Sequence, residues 1–128
     1  MFRKPLFYVF LALILTLAAC SPQSVQLTAD DNGGQVEVKS GQEFTITLTG
    51  NPSTGYMWEI QDLDTTLFEQ VGDAQFVSDN PGLVGSGGSI TLTFKALQTG
   101  TGVLTLVNHR SWEDTEPIDT FTVTVIVK

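Results

Sequence analysis

Glu43-Phe44-Thr45-Ile46-Thr47-Leu48-Thr49 sets an apolar side chain at every second position and a polar one between, without a fault. Successive side chains of a strand point to opposite faces, so this stretch reads as a half-buried β-strand with threonine on its wet side. Ser89-Ile90-Thr91-Leu92-Thr93-Phe94-Lys95-Ala96 repeats the pattern, and Phe121-Thr122-Val123-Thr124-Val125-Ile126-Val127 gives a third run in which Ile126 breaks the polar face. Weaker strands are expected at 25–28 with 35–39, at 56–60, in part of 67–77 and at 103–109. No long window carries the stripe of an amphipathic helix.

Seven short strands separated by Gly, Pro, Asn and Asp turns predict an all-β fold, an immunoglobulin-like antiparallel β-sandwich. No cysteine pair is available to bridge its sheets, and Trp58 on the third strand is expected to fill the centre of the core.

The first 20 of the 128 residues have a different character. Arg3 and Lys4 precede an apolar run over 6–17, and Leu17-Ala18-Ala19-Cys20 closes it with small residues before the single cysteine. This is the pattern of an export signal, and it resembles a bacterial lipobox. The run is short against the roughly 20 apolar residues that cross a bilayer. Residues 1–19 are therefore expected to be a lipoprotein signal peptide, 20–24 a lipidated Cys20 with a short tether, and 25–128 the folded domain. Ser21 after the cysteine points to the outer membrane, facing the periplasm or the surface, in a Gram-negative cell.

Composition narrows the function classes. Of 6 basic and 14 acidic residues, Arg3 and Lys4 leave with the signal, so the mature chain carries a formal charge of −10. Nucleic-acid binding, which depends on neutralising phosphates, is a poor fit. One histidine and one cysteine exclude most metal sites and Cys/His dyads, and no cofactor is expected.

In an antiparallel chain every second connection emerges at the same end. Connections two, four and six therefore share a pole, and they are the three most unusual loops. The second is Asn51-Pro52-Ser53-Thr54-Gly55-Tyr56, in which Pro52 fixes φ and Gly55 permits a positive one. The fourth, 79–88, holds Gly82, Gly85, Gly87 and Gly88, a backbone that can approach another surface closely but has no rigid shape of its own. The sixth sets Arg110 and Trp112, residue types enriched at interface hot spots, ahead of Glu113-Asp114-Thr115-Glu116, which reads as a solvated acidic run.

These three loops resemble the signature loops of the chagasin family of inhibitors of papain-like cysteine peptidases, whose motifs read Asn-Pro-Thr-Thr-Gly-Tyr, Gly-x-Gly-Gly and Arg-Pro-Trp. The matching residues are Asn51, Pro52, Ser53, Thr54, Gly55 and Tyr56, then Gly85, Ser86, Gly87 and Gly88, then Arg110 and Trp112. Ser53 departs from the pattern but keeps the hydroxyl, whereas Ser111 stands where the family has proline and removes a φ constraint. The resemblance implies a reversible, tight-binding, monomeric inhibitor that wedges the Asn-Pro loop into the protease cleft, with the other two loops gripping its sides, and is not cleaved. Its partner would be a papain-like enzyme of the same cell, a host or a competitor. The alternative is a non-inhibitory immunoglobulin-like envelope lipoprotein that binds or scaffolds. Catalysis by His109 with Ser111 and Asp114, or by a carboxylate pair such as Glu113 and Glu116, is not expected: neighbouring positions on a strand point to opposite faces, and Val84 occupies the first glycine position of a Gly-x-Ser-x-Gly elbow.

Overall fold

A computed structural model describes residues 24–128, and the export segment with Cys20 lies outside the described residues. Nine strands form two sheets: β1 (Val25–Thr28), β2 (Gln35–Val38), β3 (Glu43–Gly50), β4 (Met57–Asp62), β5 (Phe68–Gln70), β6 (Gln75–Ser78), β7 (Gly88–Ala96), β8 (Gly100–His109) and β9 (Asp119–Val127). One sheet has the order β1-β3-β7-β5 with β6 also on β7; the other has the order β2-β9-β8-β4. The sandwich is as expected from the alternation, which the burial of β7 follows residue by residue.

Two expectations are corrected. The sandwich is not purely antiparallel, because β1 runs parallel to β3 and β2 parallel to β9. The described residues also form nine strands where about seven were expected, because two of the expected passes each divide. Residues 25–39 divide between the two sheets, since the 3₁₀ turn Ala29–Asp31 and the bend at Gly33, with φ of 79°, carry the chain from one sheet to the other. Residues 67–77 divide at Gly72, with φ of 68°, into β5 and β6, which lie one after the other along the same strand β7.

The core sits between the sheets. Phe44 stacks on Phe94 at 5.5 Å between centroids and meets Phe68 edge-on at 5.9 Å, a geometry that suits the ring quadrupoles. Ile46, Ile90, Leu92, Leu104, Leu106, Phe121, Val123 and Val125 fill the rest. Trp58 is buried in that cluster as expected, and its indole Nε1 donates to the Thr49 carbonyl oxygen at 3.0 Å. This single bond ties the two sheets, and ties them where β3 and β4 leave for the loop between them.

Gly88 opens β7 opposite Ser78, and a Cβ there would lie 2.0 Å from the Val77 carbonyl oxygen. Backbone cannot yield to that contact as a side chain can. Gly88→Ala is therefore expected to cost about 2 kcal/mol or more and lower the melting temperature by about 10 °C. Thermal unfolding followed by circular dichroism measures it.

Candidate functional site

Strand directions put residues 51–56, 79–87 and 110–118 at one end, hereafter the upper end, because β3, β6 and β8 all run toward it. The strands separated in the fold do not disturb this, since β5 and β6 run the same way and count as one pass. The connection 29–34 closes the side of the sandwich just below this end, with Asn32 Oδ1 accepting from the Thr122 amide at 2.9 Å.

The middle loop is a 3₁₀ turn, Pro52–Thr54. Asn51 caps it: its Oδ1 accepts from the Ser53 amide at 3.2 Å and from the Ser53 hydroxyl. The Thr54 amide and hydroxyl both donate to the Asn51 carbonyl oxygen, at 3.1 and 2.6 Å, and the Gly55 amide donates to that of Pro52 at 2.9 Å. Gly55 ends the turn with φ of 85°, a conformation that L side chains resist. The loop therefore supplies partners for most of its own backbone and has one shape before any partner arrives.

Both neighbouring loops are bonded to it. Asn51 Nδ2 donates to the Gly85 carbonyl oxygen at 2.9 Å, and Arg110 Nε donates to that of Thr54 at 3.0 Å. The guanidinium of Arg110 also lies 4.3 Å above the centre of the Tyr56 ring and donates through Nη1 to Glu113 Oε1 at 3.0 Å. Tyr56 precedes β4 rather than starting it, and its ring carries the arginine.

Trp112 stands 70% exposed, yet one edge of its ring rests on the turn. A Cβ on Gly55 would lie 2.5 Å from Trp112 Cη2 and 3.5 Å from Arg110 Nε. Glycine is thus required at 55 by its angle and again by what lies over it.

Eleven of the twelve predicted contact residues line this end, while Gly88 is buried inside the sheet and acts through packing. Two expectations about the loops change. The glycine-rich loop has a defined shape: the Leu83 amide donates to Asn80, the Ser86 amide to Leu83 and the Asp79 amide to Gly87, all through backbone carbonyls. Glu113 is no part of a free acidic run, since it closes the third loop on Arg110. The Glu113 amide also donates to the Arg110 carbonyl oxygen at 3.0 Å, which leaves Ser111 second in a four-residue turn, a position that proline favours. The turn bond and the ion pair do here what a proline ring would do.

Sequence reading missed Leu83 and Val84. Both stand in the open at the upper end, Val84 with no cover at all, and the only signal was an apolar pair in a loop with no strand pattern. His109, considered above for catalysis, ends β8 with Nε2 at 2.8 Å from Glu59 Oε2, and that contact, not Ser111 or Asp114, is its partner. Among the described residues no group of three or more His, Cys, Asp or Glu is placed to hold a metal ion.

Asn51 serves two loops at once, as cap and as bridge. Asn51→Ala is expected to weaken any binding by this surface about tenfold, while stability falls by about 1 kcal/mol. Asn51→Asp separates the two roles, since a carboxylate still caps the turn but cannot donate to Gly85. A binding assay run beside a melting curve reads both.

Comparison with known proteins bears on this end of the molecule. Residues 37–125 match the model for chagasin family peptidase inhibitors. Amoebiasin-1 of Entamoeba histolytica is 33% identical over 106 residues, covering 81% of this chain and 100% of that protein. Among solved structures, a cysteine protease inhibitor from Entamoeba histolytica superposes with a TM-score of 0.72 at 28% identity, over 81% of this chain and 95% of the other. The solution structure of Amebosin gives 0.70 at 32% identity, over 83% and 99%.

Proposed function

This chain belongs to the chagasin family of peptidase inhibitors, and from that premise we propose that its upper end blocks the active-site cleft of papain-like cysteine peptidases. It is an inhibitor and not an enzyme, in keeping with relatives that are cysteine protease inhibitors. The observation that carries the finer reading is the pair of bonds from Asn51 to Gly85 and from Arg110 to Thr54. They lock three separate loops into one rigid surface, with the Asn-Pro turn in the middle and the others on its flanks.

Rigidity is what affinity needs here. A loop that is already ordered loses little entropy on binding, so an interface of ordinary size can hold tightly. The same order explains survival in a protease. Cleavage requires a carbonyl that can be seated among oxyanion donors, and the carbonyls of Asn51 and Pro52 already accept bonds within the 3₁₀ turn while that of Thr54 accepts one from Arg110. Opening the turn to present one of them breaks the cap and the bridge to Arg110. The turn enters the cleft and passes the nucleophile unreacted, with Ser53 and Thr54 foremost, since both hydroxyl residues are exposed at its tip.

A non-inhibitory scaffold built on the same fold is not favoured, because the relatives that cover nearly the whole domain are inhibitors. The lipobox ending in Cys20 supports a lipid anchor and an envelope location for the mature protein. The chain works as a monomer, all three loops coming from one copy.

The reading is tested by adding residues 21–128 to papain, to trypsin and to thermolysin, each with a fluorogenic peptide. Papain activity is expected to fall in proportion to added inhibitor until the two are equimolar, and the other two enzymes to be unaffected. Mass spectrometry after long incubation with papain is expected to find the inhibitor whole. A chain cut within 51–56, accumulating as inhibition fades, marks a slow substrate instead.

A further inference from the structure

The three loops stand on a polar spot in an otherwise apolar core. Asn108 comes two places after Leu106 on the inward face of β8, where every other buried side chain of the described residues is hydrophobic. It is 9% exposed, and its Oδ1 is buried and receives no hydrogen bond from any described residue. An amide oxygen cut off from solvent and from protein donors is strongly disfavoured, and folded proteins satisfy such a group with ordered water where no side chain reaches it.

Space for that water lies alongside. In the ladder Asn108 stands between Trp58 on β4 and Asp119 on β9. Both line a cavity of about 50 Å³ just below the upper end, bounded on its other sides by Leu48 and Thr49 of the facing sheet, by Phe121 and by Asn32. A water molecule takes about 30 Å³ in the liquid, so there is room for one. The surroundings are also polar enough to hold it. Asp119 Oδ1 accepts from the Thr120 amide at 2.9 Å and Asn32 Oδ1 from the Thr122 amide at 2.9 Å, which leaves the second carboxylate oxygen to accept and Asn32 Nδ2 to donate. Water donates twice and accepts, so it suits acceptors on Asn108 and Asp119 together with a donor on Asn32.

The same residues root two of the loops. The Asn108 carbonyl oxygen accepts from the Ile118 amide at 2.9 Å, which closes the neck of the third loop, and Trp58 holds the Thr49 carbonyl at the root of the middle one. Arg110, which reaches Thr54, follows shortly after Asn108 on the same chain.

We infer that this cavity is a water-binding site built on Asn108, and that Asn108 is a positioning residue: through the bound water it ties the neck of the third loop to the root of the middle loop, beneath the surface that meets the peptidase. The effect on inhibition rests on the three-loop reading, whereas the water itself does not.

Residues 21–128 contain both sheets complete and serve for the test. Their crystal structure is expected to show a water about 2.7–3.0 Å from Asn108 Oδ1. A site without it overturns the inference. Asn108→Ser keeps a hydroxyl that water can bond, and Asn108→Ala is close to it in size but keeps none. The Ile118 amide and the Trp58 indole N–H are expected to exchange with deuterium several-fold faster in Asn108→Ala than in the parent, with Asn108→Ser between them. Inhibition of papain should weaken about fivefold in Asn108→Ala and less in Asn108→Ser. Equal exchange in all three proteins overturns the positioning role even if the water is present, and exchange that responds while inhibition stays at the parent's level overturns the tie to the loop surface. A parent domain that leaves papain active overturns the three-loop reading instead, and the crystal structure and the exchange rates still decide the water site.

Discussion

Replacing Gly55 with valine is expected to weaken inhibition of papain by about a hundredfold or more, equivalent to about 3 kcal/mol. Two independent demands meet at this position. The backbone holds φ at 85°, where a β-branched residue is strained by about 1–3 kcal/mol. The new Cβ also lands 2.5 Å from Trp112 Cη2 and 2.9 Å from Cζ2, so even a backbone that kept its angle would push the tryptophan off the turn. Whichever gives way, the middle loop and the third loop no longer share one surface. Gly55→Ala meets the same contacts with a smaller group and should fall between valine and the parent. Since the turn holds no buried residue, the loss of folding stability is expected to be clearly smaller than the loss of affinity. Inhibition constants measured beside melting temperatures separate the two.

Trp112→Ala is expected to cost about 2 kcal/mol or more in binding, roughly thirtyfold, with little change in melting temperature. Trp112 is the largest apolar group at the upper end and 70% exposed, so the folded protein gains little from it alone and a partner can gain much. Its seat on Gly55 adds a second consequence. Groups in contact are coupled, so in the Gly55→Val background, where the ring is already displaced, Trp112→Ala should cost markedly less than in the parent. Four inhibition constants complete that cycle. Full additivity would mean that the two loops act separately and that the contact between them has no part in binding.

Much of this surface is legible in the sequence, and the part that is not has a physical reason. Alternation between Glu43 and Thr49 and between Ser89 and Ala96 announces two central strands, because each has one wet and one buried face along its whole length. Strands of three or four residues, such as β1, β2, β5 and β6, are too short for a period of two to stand out. Parallel pairing of β1 with β3 and of β2 with β9 leaves no local trace, since it is set by a partner far along the chain. The loops were recognisable by their motifs and shared an end by counting reversals. The bonds that join them were not, because Asn51 and Gly85 are 34 positions apart, and Arg110 and Thr54 are 56. Glu113 had a readable sign, opposite charge three places from Arg110, but the acidic residues after it made it look like one of a solvated run. Gly88 sits inside a motif whose other members face outward, and only the approach of the Val77 backbone reveals that it serves the sheet.

Hydrogen exchange on the equimolar complex of residues 21–128 with papain tests most directly whether these three loops form one inhibitory surface. The account predicts new protection of amides within 51–56, 85–87 and 110–113 together, with the lower turns at 39–42 and 97–99 exchanging as in the free domain. Protection confined to one loop, or appearing on the lower end or an edge strand while the three loops exchange freely, would contradict it.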